Sequence, residues 1–194
     1  MSKTLILMFH PDPEKSVANA LLARAAAEID GVEVVDIAAT YPGGRIDLMT
    51  DGAVEAQRLL AADRIVFQFP VQWYSVPSLM KDWIDAVFTR IYYVFAEREG
   101  DRLEGTPLMI AATAGNTPEN YAPGGRIAIS LEDIFTPLRA TAVRAGMPWH
   151  RPHILYHANA LDAAQSAAAG PDYQAALRAF IAATPKSTEI AAAA

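Results

Sequence analysis

The segment FQFPVQWYSVPSLMKDWID, residues 67–85, decides the architecture predicted for this chain. Its first residues continue a buried apolar strand, which Pro70 ends because proline offers no N–H to a strand ladder. Pro77 marks the start of an amphipathic helix, where a missing N–H costs nothing. The loop between them carries Trp73 and Tyr74. Loops at the carboxyl ends of parallel strands bind ligands in open α/β sheets, and two aromatic rings favour a flat ligand.

Composition narrows the class of protein. The chain has 194 residues, a net charge of −6, 52% hydrophobic residues and no cysteine. The length fits a single domain over residues 1–194. The absence of a basic cluster argues against nucleic acid as a partner, and without cysteine neither a disulfide nor a thiolate site can form.

No segment approaches the roughly 20 apolar residues that span a bilayer, and the N-terminal apolar run is too short for a signal peptide. We therefore expect a cytoplasmic protein. The Ala-rich tail at about 184–194 is expected to fray.

Strand and helix patterns alternate along the chain. The apolar runs predict strands at Thr4–Phe9, Val32–Ile37, Arg64–Phe69, Pro107–Thr113 and His153–His157. Helices are expected at Val17–Ile29, Asp51–Ala62, after Pro77, at Ile127–Ala145 and at Leu161–Ala183. Pro137 should split the fourth helix, and Gly170-Pro171 should interrupt the last.

This alternation predicts an α/β fold, a flavodoxin-like three-layer sandwich around a five-stranded parallel sheet of order 2-1-3-4-5. A dinucleotide-binding Rossmann fold is the alternative. It is disfavoured because no G-x-G-x-x-G follows the first strand.

The loop after the first strand runs from His10 to Asn19 and leads into a helix N-terminus. Such a terminus presents free N–H groups and partial positive charge, which suits a phosphate. Ser16, Asn19 and His10 can add side-chain hydrogen bonds. Taken alone, this loop is better explained by Ser16 capping the helix.

Two further loops complete a candidate crevice. Pro70–Tyr74 offers backbone groups and the Gln72 amide to the polar edge of a heterocycle, and at least one of its two aromatic rings should face the cleft rather than the core. Thr113–Asn116 has small residues that let a ligand approach the backbone, and Tyr121 follows with a phenol. These loops follow strands that are neighbours at the switch point of the sheet, so they should converge.

Other catalytic arrangements are weakly supported. Ser130, Asp133 and His150 lack a nucleophile-elbow context. His150, His153 and His157 have loose spacing and no carboxylate partner in an obvious ligand position, so we predict packing or surface histidines and no metal site.

The chain resembles the flavodoxin-like NAD(P)H quinone oxidoreductases, and it is most similar to bacterial members that act as ancillary subunits of glutathione-gated potassium efflux systems. The resemblance spans residues 5–150. It is carried by His10-Pro11 with Ser16 and Asn19, YPGGRID at 41–47, FPVQWYSVPSLMKDWID at 67–85, TAGN at 113–116 and FTPLRATAVRAGMPW at 135–149.

The resemblance implies a bound flavin, FMN or alternatively FAD, reduced by NADH or NADPH in a two-electron ping-pong cycle that ends on a quinone. It implies phosphate or ribityl contacts at His10, Ser16, Ala18 and Asn19. Ring contacts are implied at Pro70, Val71, Gln72, Trp73 and Tyr74 and at Thr113, Ala114, Gly115 and Asn116. It also implies a homodimer with the substrate pocket near the interface.

Trp73, Tyr74 and Tyr121 are the candidates for lining the space where nicotinamide and quinone react, with Tyr121 also near the flavin. The family usually has glycine where this chain has Ala114, which predicts a narrower approach to the backbone. A family histidine that stabilises reduced flavin falls at Ile127 here.

Three functional hypotheses follow. The first is the quinone oxidoreductase, for which azo dyes and nitroaromatics are further acceptors. The alternative is a regulatory ancillary subunit that docks on a potassium efflux antiporter, peripheral at the inner face of the cell membrane. A one-electron flavodoxin carrier is less favoured, because such a carrier needs no nicotinamide pocket.

Overall fold

One five-stranded parallel sheet organises the computed structural model, which describes residues 3–12 and 15–185. The strands are β1 (Thr4–Met8), β2 (Val32–Asp36), β3 (Arg64–Pro70), β4 (Leu108–Thr113) and β5 (His153–Leu155). Their order is β2-β1-β3-β4-β5, and Ile6 of β1 lies opposite Val34 on one side and Val66 on the other. The predicted fold class and strand order are confirmed.

Helices cover both faces of the sheet. The helices are α1 (Ala18–Ala27), α2 (Ile37–Thr40), α3 (Asp51–Leu60), α4 (Ser78–Thr89), α5 (Asp101–Leu103), α6 (Pro118–Tyr121), α7 (Leu131–Ile134), α8 (Thr136–Arg144) and α9 (Ala163–Ala183). One core cluster joins α1 and α9 to the sheet, and a larger one joins α3, α4 and α8 to its other face. Successive side chains of β3 alternate between these two cores, as strand geometry requires.

The larger core is built on aromatic rings. Trp83 of α4 is fully buried, and its ring centroid lies 5.5 Å from that of Phe9 and 5.7 Å from that of Phe67. The indole Nε1 donates a hydrogen bond of 3.2 Å to the buried carboxylate of Glu55, which also accepts one of 2.9 Å from the Tyr41 hydroxyl. The apolar face predicted for the helix after Pro77 therefore packs as expected, around one buried polar network.

Helix boundaries differ from the prediction where proline was the guide. Pro137 does split the predicted Ile127–Ala145 helix, and residues 127–130 lie outside either half. The predicted interruption at Gly170-Pro171 is wrong, because α9 continues through both residues. A proline inside a helix costs about 3 kcal/mol, whereas burial of Tyr173, Leu177 and Phe180 contributes about 1.5–3 kcal/mol each. Packing therefore outweighs the proline.

Several segments predicted as loops contain short helices. α2 and α6 are single turns, and the connection after α4 forms two π-helical turns, Arg90–Val94 and Ala96–Gly100. The guanidinium of Arg90 ties the two turns together: it lies 2.9 Å from the Glu99 carboxylate and stacks 4.2 Å from the Phe95 ring centroid. Short turns of this kind leave no periodic signal in the sequence.

The first and last described segments meet at the amino edge of the sheet. The Lys3 N–H donates a 2.5 Å hydrogen bond to the Asp63 carboxylate, and Arg64 Nε donates one of 2.7 Å to the Thr184 hydroxyl. The tail predicted to fray lies outside the described residues from position 186 onward. Within the described part of the chain, no helix has the length and apolar character needed to span a membrane.

Candidate functional site

A cavity of about 390 Å³ opens at the carboxyl ends of β1, β3 and β4. Its wall is formed by His10 and residues 15–19, by Pro70, by Thr113, and by residues 158–161 with Ser166. The three loops predicted to converge each contribute to this wall. A fourth loop, between β5 and α9, contributes as well.

The start of α1 forms one end of the cavity. Ser16 is buried, and its Oγ accepts a 3.1 Å hydrogen bond from the Ala20 N–H in the first turn of α1, while its own O–H remains a donor. The N-cap residue of α1 is Val17 rather than the predicted Ser16. The N–H groups of a first helical turn have no intrahelical acceptor, and they carry the positive end of the helix dipole. This end of the cavity therefore presents donors and positive potential, the chemistry that an anionic group requires.

His10 is fixed in one tautomer by the backbone. Its Nδ1 accepts a 3.1 Å hydrogen bond from the Asp12 N–H. Partial burial lowers the pKa of His10 below the ordinary value near 6.5, an effect only partly offset by the Asp12 bond. The neutral ring therefore carries its proton on Nε2 and has a donor left for a ligand.

Asn19 and Thr113 form the floor between α1 and β4. The Asn19 side-chain amide donates a 2.8 Å hydrogen bond to the Thr113 hydroxyl, and both residues are buried. Beneath them, Gln68 Nε2 of β3 donates a 2.9 Å hydrogen bond to the Asn19 carbonyl. Two residues that were predicted to touch a cofactor are thus also bonded to each other.

The loop after β3 folds into a tight aromatic turn. Gln72 and Ser75 exchange two backbone hydrogen bonds of 3.0 Å. Trp73 and Tyr74 occupy the two central positions with φ values of 47° and 59°, a left-handed conformation that a type I′ turn requires and that costs ordinary residues about 1–2 kcal/mol each. Trp73 is 93% exposed and Tyr74 is 48% exposed. Both rings therefore face away from the core.

The loops after β4 and β5 are joined to each other. The Ala158 N–H donates a 2.9 Å hydrogen bond to the Ala114 carbonyl, and the His157 N–H donates one of 2.9 Å to the Asn116 carbonyl. The Asn159 side-chain nitrogen lies 2.5 Å from the point where a Cβ on Gly115 would sit. Ala114, predicted to narrow the approach to the backbone, is buried in the larger core and is not among the residues of the cavity wall.

Tyr121 lies beside the cavity rather than in its wall. It is 5% exposed, and its ring centroid lies 5.8 Å from that of Tyr156. Burial raises the pKa of the Tyr121 phenol, so this group stays protonated at neutral pH. Both tyrosines line a neighbouring cavity of about 250 Å³.

Of the predicted site residues, those in the cavity wall are His10, Ser16, Ala18, Asn19, Pro70 and Thr113. The others flank it: Val71, Gln72, Trp73, Tyr74, Ala114, Gly115, Asn116 and Tyr121. Val71 is held next to the wall, since its N–H donates a 2.8 Å hydrogen bond to the Thr113 carbonyl. Among the flanking residues, Gln72, Trp73, Tyr74, Gly115 and Asn116 are exposed, whereas Ala114 and Tyr121 are buried.

The histidines and the serine set aside at the outset have structural partners. His150 packs edge-on against Phe180, and His153 stacks on Tyr173, each with ring centroids 4.9 Å apart. The Ser130 hydroxyl donates a 2.6 Å hydrogen bond to Asp133 and caps α7. Among residues 3–12 and 15–185, no three histidine, aspartate or glutamate side chains cluster as metal ligands would.

A family model described as "Flavodoxin-like fold" matches residues 2–181. The chain belongs to this flavodoxin-like family. It is 35% identical over 173 residues, 89% of this chain and 91% of the relative, to the glutathione-regulated potassium-efflux system ancillary protein KefG of Cronobacter sakazakii (strain ATCC BAA-894). It is 36% identical over 160 residues to the uncharacterized NAD(P)H oxidoreductase YdeQ of Bacillus subtilis (strain 168), covering 82% of this chain and 78% of that one.

A solved member of this flavodoxin-like family has been obtained with a flavin. The general stress protein 14 of Treponema denticola, in complex with FMN, superposes with a TM-score of 0.80 at 28% identity, covering 92% of this chain and 99% of that one. The predicted resemblance is confirmed by the family match and by the KefG relative, and relatives named as an NAD(P)H oxidoreductase and a putative quinone reductase support an oxidoreductase activity.

The residues of this flavodoxin-like chain fit a flavin phosphate on chemical grounds. The donor set at the α1 end consists of backbone N–H groups, the Ser16 hydroxyl and His10 Nε2, and the described part of the wall contains no carboxylate. Sequence reasoning missed residues 158–161 and Ser166. The signal that could have found them is positional, because the loop after the fifth strand also lies at the carboxyl edge of the sheet, next to the loop after the fourth.

Proposed function

We propose that this chain is a flavin-dependent NAD(P)H:quinone oxidoreductase that binds FMN at the carboxyl edge of its sheet and transfers two electrons per cycle in a ping-pong sequence. The observation that carries the proposal is the α1 end of the cavity. There, helix N–H groups, the Ser16 hydroxyl and His10 Nε2 meet, and none of the wall residues among positions 3–12 and 15–185 is a carboxylate. This donor set suits a phosphate monoester.

The proposed contacts divide the site into two parts. His10, Ser16, Ala18 and Asn19 would hold the phosphate and ribityl chain inside the cavity. The ring would lie on the open surface beside it, with its edge against residues 70–74 and 113–116. FMN is favoured over FAD because a relative of 28% identity forms an FMN complex.

When bound, a flavin supplies the hydride chemistry, so the protein's own residues need only bind, orient and exclude water. The exposed rings of Trp73 and Tyr74 offer stacking surfaces for nicotinamide and quinone. Backbone N–H groups of Gly115 and Asn116 would hold negative charge at the ring edge. Tyr121 would present a neutral hydroxyl nearby, since burial raises its pKa.

The proposal extends to partners. NADH or NADPH would serve as donor, and quinones, azo dyes and nitroaromatics would serve as acceptors, because each is planar and can use the same stacking surface. A homodimer would shield the exposed Trp73 ring and enclose the substrate space.

The proposal is tested by adding FMN or FAD to the purified chain and measuring visible absorbance, followed by mass spectrometry of the released flavin. We expect a yellow protein that retains FMN, and NAD(P)H oxidation that is stimulated by a quinone. Protein that takes up neither flavin would contradict the proposal. Oxidation with NADH and NADPH compared in the same assay identifies the donor.

A second function is favoured by the 35% identity to KefG across 89% of the chain. Under this proposal the chain is a regulatory subunit docked at the inner membrane face on a potassium efflux antiporter. Both functions can hold together. Co-purification with such an antiporter, and potassium efflux that depends on the chain, would support it; a chain that neither binds nor activates the antiporter would refute it.

A further inference from the structure

The middle of β3 carries a polar side chain with no exposed surface. Gln68 is 0% exposed and lies between Met8 of β1 and Ala111 of β4 in the sheet register. It shares its face of the strand with Val66, which belongs to the apolar core under α1 and α9. Burying an amide at such a position costs free energy unless hydrogen bonds compensate for the lost contact with water.

Gln68 begins a chain of hydrogen bonds that crosses three elements. Its Nε2 donates a 2.9 Å bond to the Asn19 carbonyl of α1, and the Asn19 side-chain amide donates a 2.8 Å bond to the Thr113 hydroxyl of β4. Asn19 and Thr113 are 2% and 4% exposed. These bonds therefore fix the first turn of α1 relative to the end of β4.

Only one end of this chain of hydrogen bonds, the Asn19–Thr113 end, reaches the cavity. Asn19 and Thr113 both form part of the cavity wall, whereas Gln68 lies behind them. In the described part of the protein, Gln68 Oε1 is buried without a hydrogen-bond partner. Such an atom is a stability cost, and an apolar side chain of similar length would avoid it. Stability alone does not explain this amide.

We propose that Gln68 is a positioning residue for the flavin phosphate and ribityl chain. It acts through Asn19, whose backbone it holds so that the first turn of α1 and the Asn19–Thr113 pair keep the geometry that the ligand meets. This inference rests on the proposed function and adds a residue that does not itself touch the ligand.

The test measures the dissociation constant for FMN, from quenching of flavin fluorescence, and the melting temperature of the flavin-free protein. In Gln68→Met we expect the dissociation constant to rise by about tenfold, the loss expected for one buried hydrogen bond. The melting temperature without flavin should stay the same or rise, because the unpaired carbonyl is gone. A purely structural residue would lower the melting temperature.

Val66→Ala is the matched control, since Val66 lies on the same face of the same strand. It should lower the melting temperature and leave the FMN dissociation constant within twofold of the native value.

Two results would overturn the inference: a dissociation constant of Gln68→Met within twofold of native, or failure of both Gln68→Met and Gln68→Leu to fold while Val66→Ala folds. If Gln68→Met binds FMN like the native chain, only this inference fails. If the native chain itself binds neither FMN nor FAD, the proposed function fails and the inference fails with it.

Discussion

The side-chain nitrogen of Asn159 fills the space that a side chain on Gly115 would need, 2.5 Å from the Cβ position. Gly115→Ala would therefore push the exposed Asn159 side chain toward the cavity. We expect FMN affinity to fall by about tenfold, while the free energy of unfolding without flavin changes by less than about 1 kcal/mol because only a flexible side chain moves. Fluorescence titration and urea denaturation measure the two quantities.

Gly43→Ala provides the control for this prediction, because a Cβ at Gly43 meets no atom within 4 Å. It should change neither the FMN affinity nor the free energy of unfolding. Adding Asn159→Ala to Gly115→Ala should restore part of the affinity. Equal affinity in Gly115→Ala and the native chain would show that Asn159 does not shape the flavin pocket.

The aromatic turn predicts a conflict between stability and activity. Trp73 has a φ of 47° and is 93% exposed, so Trp73→Gly relieves backbone strain and loses little packing. We expect the free energy of unfolding to rise by up to about 1 kcal/mol. The KM for quinone should rise about threefold to tenfold because a stacking surface is lost.

Trp73→Phe is the matched variant for the turn, since it keeps both the ring and the strain. Its unfolding free energy and KM should stay close to the native values. An unchanged KM in Trp73→Gly would argue that the exposed indole takes no part in substrate binding.

Three histidines predict how stability depends on pH. Burial lowers the pKa of His10, His150 and His153 below the ordinary value near 6.5. As pH falls below 6.5, the unfolded chain therefore binds protons more readily than the folded one, and the free energy of unfolding decreases. Urea denaturation of flavin-free protein at pH 7, 6 and 5 should show this loss, well above the range where carboxyl groups titrate.

His153→Phe isolates the contribution of His153 to this pH dependence. The His153 ring stacks on Tyr173, and its buried Nε2 has no hydrogen-bond partner among the described residues. Phenylalanine keeps the stacking without the polar atom, so stability at pH 7 should rise by about 1 kcal/mol and the decrease toward pH 5 should become smaller. A pH dependence identical to that of the native chain would contradict this assignment.

The buried carboxylate of Glu55 predicts a loss of stability that does not involve the site. Glu55→Leu leaves the Tyr41 hydroxyl and the Trp83 Nε1 without their acceptor and removes one of two carboxylate partners of Arg58, at 3.3 Å, leaving Glu33 at 3.8 Å. We expect a loss of about 3 kcal/mol in urea denaturation, with FMN affinity of the folded fraction unchanged. Arg58→Met, which leaves the two neutral donors bonded, should cost less than about 1 kcal/mol. If Glu55→Leu left the free energy of unfolding unchanged, the proposed stabilising role of this network would be contradicted.

Much of the fold could be predicted because strand alternation and helix periodicity are local patterns. The strand order follows from the β-α alternation, and Pro77 marks the start of α4 to within one residue. The course of α9 through Pro171 could not be predicted in the same way. It depends on Tyr173, Leu177 and Phe180 packing against other elements, which is a property of the folded chain.

The candidate site shows the same division. The loops after β1, β3 and β4 were recognisable from residue types at strand ends, and Asn19 was named from its position in a helix N-terminus. Gln68 was not, because a glutamine in a strand gives no sign of a partner on a distant helix. Asn159 was missed because its relation to Gly115 exists only once β4 and β5 are paired.

The meeting of Lys3, Asp63, Arg64 and Thr184 has a practical consequence for electrochemistry of the proposed flavoprotein. These residues lie at the amino edge of the sheet, and the cavity lies at the carboxyl edge, separated by the five residues of β1, or about 17 Å at 3.3 Å per residue. A linker attached near Lys3 or near Thr184 would therefore orient the protein on an electrode with the crevice turned toward solution. Substrates would reach the crevice unhindered, and direct electron exchange with the support would be slow.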